Sequence, residues 1–153
     1  LIVSFPEYTE LVEEMVALSR EEMGHFKMVH DLILKRGNTL GRDRKDDYVI
    51  ELLKFFPKGG SRTTQLVHRL LYAGLIEARS CERFRLLSEE LEDRKLADFY
   101  HKLMISEAGH YTMFLKFARK YGELEEVNQK WNNLLEYEAK IMKDLGTKES
   151  IHG

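Results

Sequence analysis

Three glutamates stand where a helix would place them among apolar side chains, and two of them are followed three residues later by a histidine. The pairs are Glu22 with His25 and Glu107 with His110, and the third glutamate is Glu77. Residues three apart on an α-helix face the same way, so each pair offers a carboxylate and an imidazole to one metal site. These residue types predict a carboxylate-rich centre for two metal ions inside a helical bundle.

The Glu-x-x-His spacing is a weak signal by itself. The chain has six histidines and many glutamates, so chance matches are expected. A third match, Glu149 with His152, stands in the tail and does not belong to an apolar seam, that is, a row of apolar residues spaced three and four apart along one helix face. Position is the stronger criterion, because a carboxylate buried among Leu and Phe costs several kcal/mol unless it is paired or bound to a cation.

Apolar residues recur in steps of three and four along most of the chain, which predicts an all-α fold. Helices are expected over about residues 6–36, 63–91, 95–121 and 125–145, with one short helix over about 48–56 in a glycine-containing crossover. The seam of the first helix is expected to contain Leu11, Met15, Leu18, Glu22, His25, Val29 and Leu32. The last helix is expected to bury Val127, Trp131, Leu134, Leu135, Ile141 and Leu145 outside the metal-bearing bundle.

The two halves of the chain resemble each other. An offset of 85 residues aligns five positions: Glu22 with Glu107, Gly24 with Gly109, His25 with His110, Phe26 with Tyr111, and Met28 with Met113. Under the same offset, the counterpart of Glu77 falls upstream of Leu1. We therefore expect the chain to begin inside the first bundle helix and a sixth ligand to precede it.

Bulk properties favour one reduced, cytoplasmic domain. The 153 residues suit a single domain, Cys81 cannot form an internal disulfide, and the sequence has neither a signal-peptide pattern nor an apolar run long enough to cross a bilayer. Net charge is −2, but residues 35–69 carry nine Lys/Arg against four acids. Composition alone favours a solvated connector there over a patch for a polyanion.

A purely structural interpretation of the candidate ligands also exists. His25 and His110 could be core histidines with protein partners, and the three glutamates could pair with buried arginines such as Arg79 or Arg83. For any single residue this is at least as plausible as metal binding. Three helices that each bury an acid at a seam position favour the metal site.

Several runs resemble the tRNA 2-methylthio-N6-isopentenyladenosine hydroxylase family. The most specific is Leu-Ile-Glu-Ala-Arg-Ser-Cys-Glu-Arg-Phe at residues 75–84, and others are residues 20–26, 41–48, 58–60 and 106–111. The resemblance covers nearly the whole chain. The sequence shown departs from the family pattern because it lacks the amino-terminal stretch that carries a Glu ligand in relatives.

The resemblance implies a single ferritin-like domain over residues 1–153, a four-helix bundle with an extra C-terminal helix and a truncated first helix. It implies an oxygen-dependent di-iron monooxygenase that hydroxylates the isopentenyl group of a modified adenosine next to the tRNA anticodon. Two iron ions, O₂ and an external electron donor would be required. The five candidate ligands would be Glu22, His25, Glu77, Glu107 and His110.

The same resemblance gives the basic segment a role in holding tRNA phosphates. The candidate contacts are Lys35, Arg36, Arg42, Arg44, Lys45, Lys58 and Arg62. Two other functions stay open: a ferritin-like protein that oxidises or stores iron without an organic substrate, and a non-enzymatic helical module that binds a partner through the basic segment.

The internal symmetry makes one prediction that sequencing can check. A glutamate should be encoded about eight residues before Leu1, roughly two helical turns upstream, where it would complete the ligand set. An upstream reading frame without an acidic residue in that turn would contradict the predicted symmetry.

Overall fold

In the computed structural model of the chain, residues 1–42 and 44–145 are described, and these ranges contain five α-helices and no strand. The helices are α1 (Thr9–Lys35), α2 (Asp47–Leu53), α3 (Arg62–Glu90), α4 (Arg94–Tyr121) and α5 (Leu124–Leu145). The all-α prediction is confirmed. The tail match Glu149 with His152 lies outside the described residues.

Side-chain caps explain most of the helix starts. Asp46 accepts a hydrogen bond from the Val49 N–H at the start of α2, and Ser61 accepts one from Thr64 at the start of α3. Asp93 accepts from the first N–H groups of α4. Such caps satisfy backbone donors that have no partner inside the helix.

Two predicted boundaries differ from the structure. The first helix begins at Thr9 rather than near Pro6, after a turn and without a side-chain cap on Tyr8. The short crossover helix ends at Leu53 rather than near Phe56, so the bends that lead into the Gly59–Gly60 segment begin earlier. Both glycines have positive φ, a conformation that L side chains rarely adopt.

The chain divides into two compact units, Leu1–Lys45 and Asp46–Gly153. In the first unit, α1 has its buried residues, Leu11 and Met15, near its start. Val29, expected on the same seam, is exposed. The predicted seam of α1 is thus buried at its beginning and exposed to solvent near its end.

In the second unit, α3 and α4 form a helical hairpin. Only three residues, 91–93, separate the two helices, so they run antiparallel. Gly74 of α3 lies against Phe114 of α4, because a Cβ at Gly74 would meet the Phe114 Cβ at 3.4 Å. The helix α5 packs against both α2 and α4.

The apolar face of α5 differs from the prediction, and Leu145, which was expected to be buried, is only half-buried. Leu135 is exposed, and Glu138 is buried instead, in line with Val127, Trp131 and Leu134. The reason is helical periodicity: alternating steps of four and three from Val127 lead through Trp131 and Leu134 to position 138.

None of the helices in the described ranges is both long and apolar enough to cross a membrane.

Gly122 permits close packing where α4 ends. A Cβ there would lie 2.6 Å from Val127 Cγ2 and 2.9 Å from Val67 Cγ2. We predict that Gly122→Ala lowers the free energy of unfolding by about 1–3 kcal/mol through overpacking, measured by urea denaturation. The control is Gly109→Ala, where the added Cβ meets nothing within 4 Å, and it should stabilise α4 slightly. Equal stability of Gly122→Ala and the parent would contradict this packing.

Candidate metal centre

The helix α1 brings Glu22 and His25 together on one face. His25 Nδ1 lies 3.4 Å from Glu22 Oε1, and His25 Nε2 lies 3.9 Å from Glu21 Oε1. The side chain of His25 is 15% exposed and that of Glu22 is 42% exposed. The first unit therefore presents a carboxylate and an imidazole within reach of a common ion, with Glu21 at the other ring nitrogen.

The helix α4 repeats this arrangement in a more enclosed setting. His110 Nδ1 lies 3.9 Å from Glu107 Oε2, and the two residues are 7% and 5% exposed. Leu103 and Phe114, which precede and follow them on the same face, are both buried. This is the predicted position of a polar pair in an apolar seam.

The register of α3 against α4 places Glu77 level with that pair. Gly74 contacts Phe114, and the Cys81 thiol is close enough to Glu107 that burial and then this carboxylate raise the pKa of the thiol. In an antiparallel pair, Gly74 beside Phe114 sets the register, and the influence of Glu107 on Cys81 agrees with it; position 77 then lies near the turn that carries the α4 histidine. The second unit thus holds three candidate ligands on two neighbouring helices.

The donor set fits iron. Carboxylate and imidazole are the ligands of helical-bundle di-iron and di-manganese sites, in which each Glu-x-x-His pair comes from one helix and each further Glu from another. The first unit supplies one such pair, and the second supplies another pair and one further Glu. A buried carboxylate such as Glu107 also favours a cation, because its charge is costly to hold in an apolar environment.

Arg79 has other acidic partners. Its Nε lies 3.0 Å from Glu138 Oε1 on α5, and its guanidinium also contacts Glu82. The hydroxyl of the buried Tyr48 donates a hydrogen bond to the same Glu138 oxygen at 3.2 Å. The polar network joins α2, α3 and α5, and the described contacts of Arg79 are made with these acids rather than with a candidate ligand.

Glu138 was missed by the sequence analysis, although it carries the same signal as the candidate ligands, an acid on an apolar seam. Its partners are an arginine and a tyrosine from distant parts of the chain. A buried glutamate is therefore insufficient to identify a ligand. The histidine three residues later distinguishes Glu107 from Glu138, since position 141 is an isoleucine.

The seven basic residues proposed for tRNA binding are all exposed. Lys35 ends α1 and Arg36 is its C-cap, while Arg62 begins α3. The remaining four lie in the connecting segments on either side of α2: Arg42, Arg44, Lys45 and Lys58. Exposure of this kind suits contacts with phosphates but does not identify a partner.

The sequence model of the family described as "tRNA-(MS[2]IO[6]A)-hydroxylase (MiaE)" matches residues 1–153. A protein from Pseudomonas putida named tRNA 2-(methylsulfanyl)-N(6)-isopentenyladenosine(37) hydroxylase is 36% identical over 127 residues, which is 83% of this chain and 60% of that protein. A protein of the same name from Salmonella typhimurium is 32% identical over 133 residues, or 87% and 48% of the two chains. The chain thus spans about half to three-fifths of the length of these curated relatives.

A solved structure, described as protein 43 with aldehyde deformylating oxygenase activity from Synechococcus, shares the fold. It superposes with a TM-score of 0.88 at 30% sequence identity, over 97% of this chain and 72% of the other. The predicted ferritin-like fold is confirmed by this similarity.

The buried network around Tyr48 predicts a pH dependence of stability. Burial, and then the charge of Glu138, raise the pKa of the Tyr48 phenol above its usual range. Above about pH 10 an unfolded tyrosine ionises while folded Tyr48 stays protonated, so stability falls as the pH rises through this range. The free energy of unfolding of the Tyr48→Phe variant should fall less steeply, measured by urea denaturation from about pH 8 to 11.

Tyr137→Phe is the matched control for that series. Its hydroxyl faces the backbone oxygen of Glu51 at 3.5 Å and lies outside the Glu138 network, so this variant shows the effect of losing a tyrosine hydroxyl elsewhere, and Tyr48→Phe should change the slope more. Identical slopes for Tyr48→Phe and the parent would contradict the assigned network.

Proposed function

Because the chain belongs to the tRNA-(MS[2]IO[6]A)-hydroxylase (MiaE) family, we propose that it acts in an oxygen-dependent di-iron tRNA hydroxylase. The substrate would be 2-methylthio-N6-isopentenyladenosine next to the anticodon, and the product would carry a hydroxyl on the isopentenyl group. The names of two relatives at 32–36% identity support this substrate class. The observation that carries the metal chemistry is the buried Glu107–His110 pair on α4.

Five residues would hold the two iron ions: Glu22, His25, Glu77, Glu107 and His110. With two electrons from an external donor, bound iron would supply the activation of O₂ that inserts one oxygen atom into a C–H bond and releases the other as water. The internal symmetry of the sequence supports the joint assignment, because the pair on α1 and the pair on α4 occupy equivalent positions in the two halves.

The protein's own contribution is charge, orientation and exclusion of water. Carboxylates from Glu77 and Glu107 would balance the charge of the cations, and the imidazole of His110 would offer a neutral nitrogen ligand. The buried side chains of Leu103 and Phe114 limit access of water to the α4 pair. Exclusion of water protects an oxidising centre from side reactions.

The basic residues of the connector would bind the tRNA backbone. Exposed Lys and Arg on both sides of α2 can contact several phosphates and position the anticodon loop without reading its sequence. A tRNA substrate also implies that the enzyme works in the cytoplasm.

The direct test is a mass measurement on tRNA nucleosides. Full-length protein with ferrous iron, a reductant, O₂ and tRNA that carries the methylthio-isopentenyl modification should add one oxygen atom to the modified adenosine. Glu107→Ala should lower the rate by at least about 100-fold, since the centre would lose a ligand. Glu149→Ala, in the tail Glu-x-x-His match, is the control and should leave the rate unchanged.

The alternatives give different results in the same assay. Oxidation of ferrous iron without an oxygenated nucleoside would favour the iron-handling function. Equal product formation by Glu107→Ala and the parent would contradict the assigned centre.

Replacement of Arg42, Arg44 and Lys45 together by alanine tests the tRNA surface. Affinity for tRNA should fall, and the slope of log K against log salt concentration should decrease by about 2–3 because fewer counterions are released. The control removes three exposed lysines of α4 and α5, Lys116, Lys140 and Lys143. An unchanged slope in the connector variant, or an equal change in both variants, would contradict the proposed surface.

A further inference from the structure

A cavity of about 260 Å³ lies in the second unit where α3 begins, α4 ends and α5 begins. Its lining includes Ser61, Thr64, His68, Gly122, Glu126 and Lys130. His68 precedes Glu77 by nine residues, which is roughly 14 Å along the axis of α3. The cavity is therefore separate from the candidate metal centre.

His68 and Lys130 form a polar pair in the wall of this cavity. His68 is only 6% exposed, and its Nε2 lies 2.9 Å from the Lys130 ammonium. Because an ammonium group can only donate, Nε2 must accept, and the neutral ring carries its proton on Nδ1. Burial and the neighbouring Lys130 charge both lower the pKa of His68, which favours this neutral form.

The His68–Lys130 pair has further N–H groups that can donate hydrogen bonds to a ligand. Lys130 uses one N–H on His68, and across residues 1–42 and 44–145 no carboxylate forms an ion pair with its ammonium. Within the same ranges, the Nδ1–H of His68 has no hydrogen-bond partner. The residues that line the cavity thus include a cation without a carboxylate partner in these ranges and a histidine that is itself 6% exposed, which favours an anionic ligand.

The first turn of α3 adds to this preference. The hydroxyls of Ser61 and Thr64 lie 2.8 Å apart, so one donates to the other and the second hydroxyl hydrogen is available. The amino terminus of a long helix also carries a partial positive charge. Ammonium, imidazole N–H and hydroxyl are together well suited to a tetrahedral oxyanion.

We propose that this cavity binds the phosphoryl group of a small molecule, with Lys130 and His68 as its donors. The volume exceeds what a bare phosphate ion fills, so an organic group can accompany the phosphate. Two exposed acids, Glu123 and Glu126, stand at the lining. Their charge repels a polyanion more strongly than a ligand with one phosphate, which disfavours an RNA backbone here.

Calorimetric titration with inorganic phosphate at constant ionic strength tests the proposal. The protein should bind one phosphate, and Lys130→Ala should weaken binding by about tenfold or more, as expected for loss of a charge-assisted hydrogen bond. Lys130→Arg should recover most of the affinity because it restores the charge. No binding by the parent, or equal binding by Lys130→Ala, would overturn the proposal.

Two further variants distinguish phosphate binding in this cavity from nonspecific attraction of phosphate by the charge of the protein. Glu126→Gln should tighten phosphate binding by about two- to threefold, since it removes a repelling charge from the lining. Lys140→Ala removes an exposed lysine of the same helix that does not line the cavity, and it should leave the affinity unchanged. An equal loss in Lys140→Ala and Lys130→Ala would overturn the assignment to this cavity.

The source of the phosphate is tested by competition. Adenosine monophosphate should displace inorganic phosphate, and an unmodified anticodon stem-loop RNA at the same ionic strength should not. Displacement by the RNA alone would overturn the small-molecule assignment. None of these measurements needs iron or hydroxylation, so their failure would leave the proposed enzyme function unaffected.

Discussion

The burial of the Glu107 carboxylate in the apolar seam of α4 is the constraint on which the account of this protein depends. A folded chain tolerates such a charge only when a cation or hydrogen-bond donors compensate it. His110 lies one turn away, and the register of the helical hairpin sets Glu77 opposite the same turn. The second unit therefore holds a buried carboxylate and a buried imidazole on α4, with the half-buried Glu77 on the neighbouring helix, and these are the residue types that the proposed metal centre needs.

The Glu138 network shows how this fold compensates a second buried acid. Arg79 and Tyr48 approach Glu138 from two different helices and satisfy it with protein groups alone. The Glu138 carboxylate, held by an arginine and a phenol, joins α2 and α5 to α3, whereas Glu107 lies beside a histidine, as the proposed ligand role requires.

Much of the fold follows from the sequence because local signals agree with the packing. Seam periodicity predicts the long helices α3 and α4 to within about one residue, and the caps Ser61 and Asp93 begin them in the structure. The spacing of Glu107 and His110 places both on one face without reference to the rest of the chain. The role of Glu138 could not be derived in this way, because its partners are remote in sequence and only tertiary packing brings Arg79 to it.

Iron stoichiometry tests the central claim most directly. Full-length protein reconstituted with ferrous iron without O₂, then freed of excess metal, should retain about two iron ions per chain, with Mössbauer parameters typical of nitrogen and oxygen ligands. Replacement of Glu107 and His110 together by alanine should abolish this binding, while Glu138→Gln should preserve it. Absence of iron from the parent protein, or unchanged iron content in the double variant, would contradict the account.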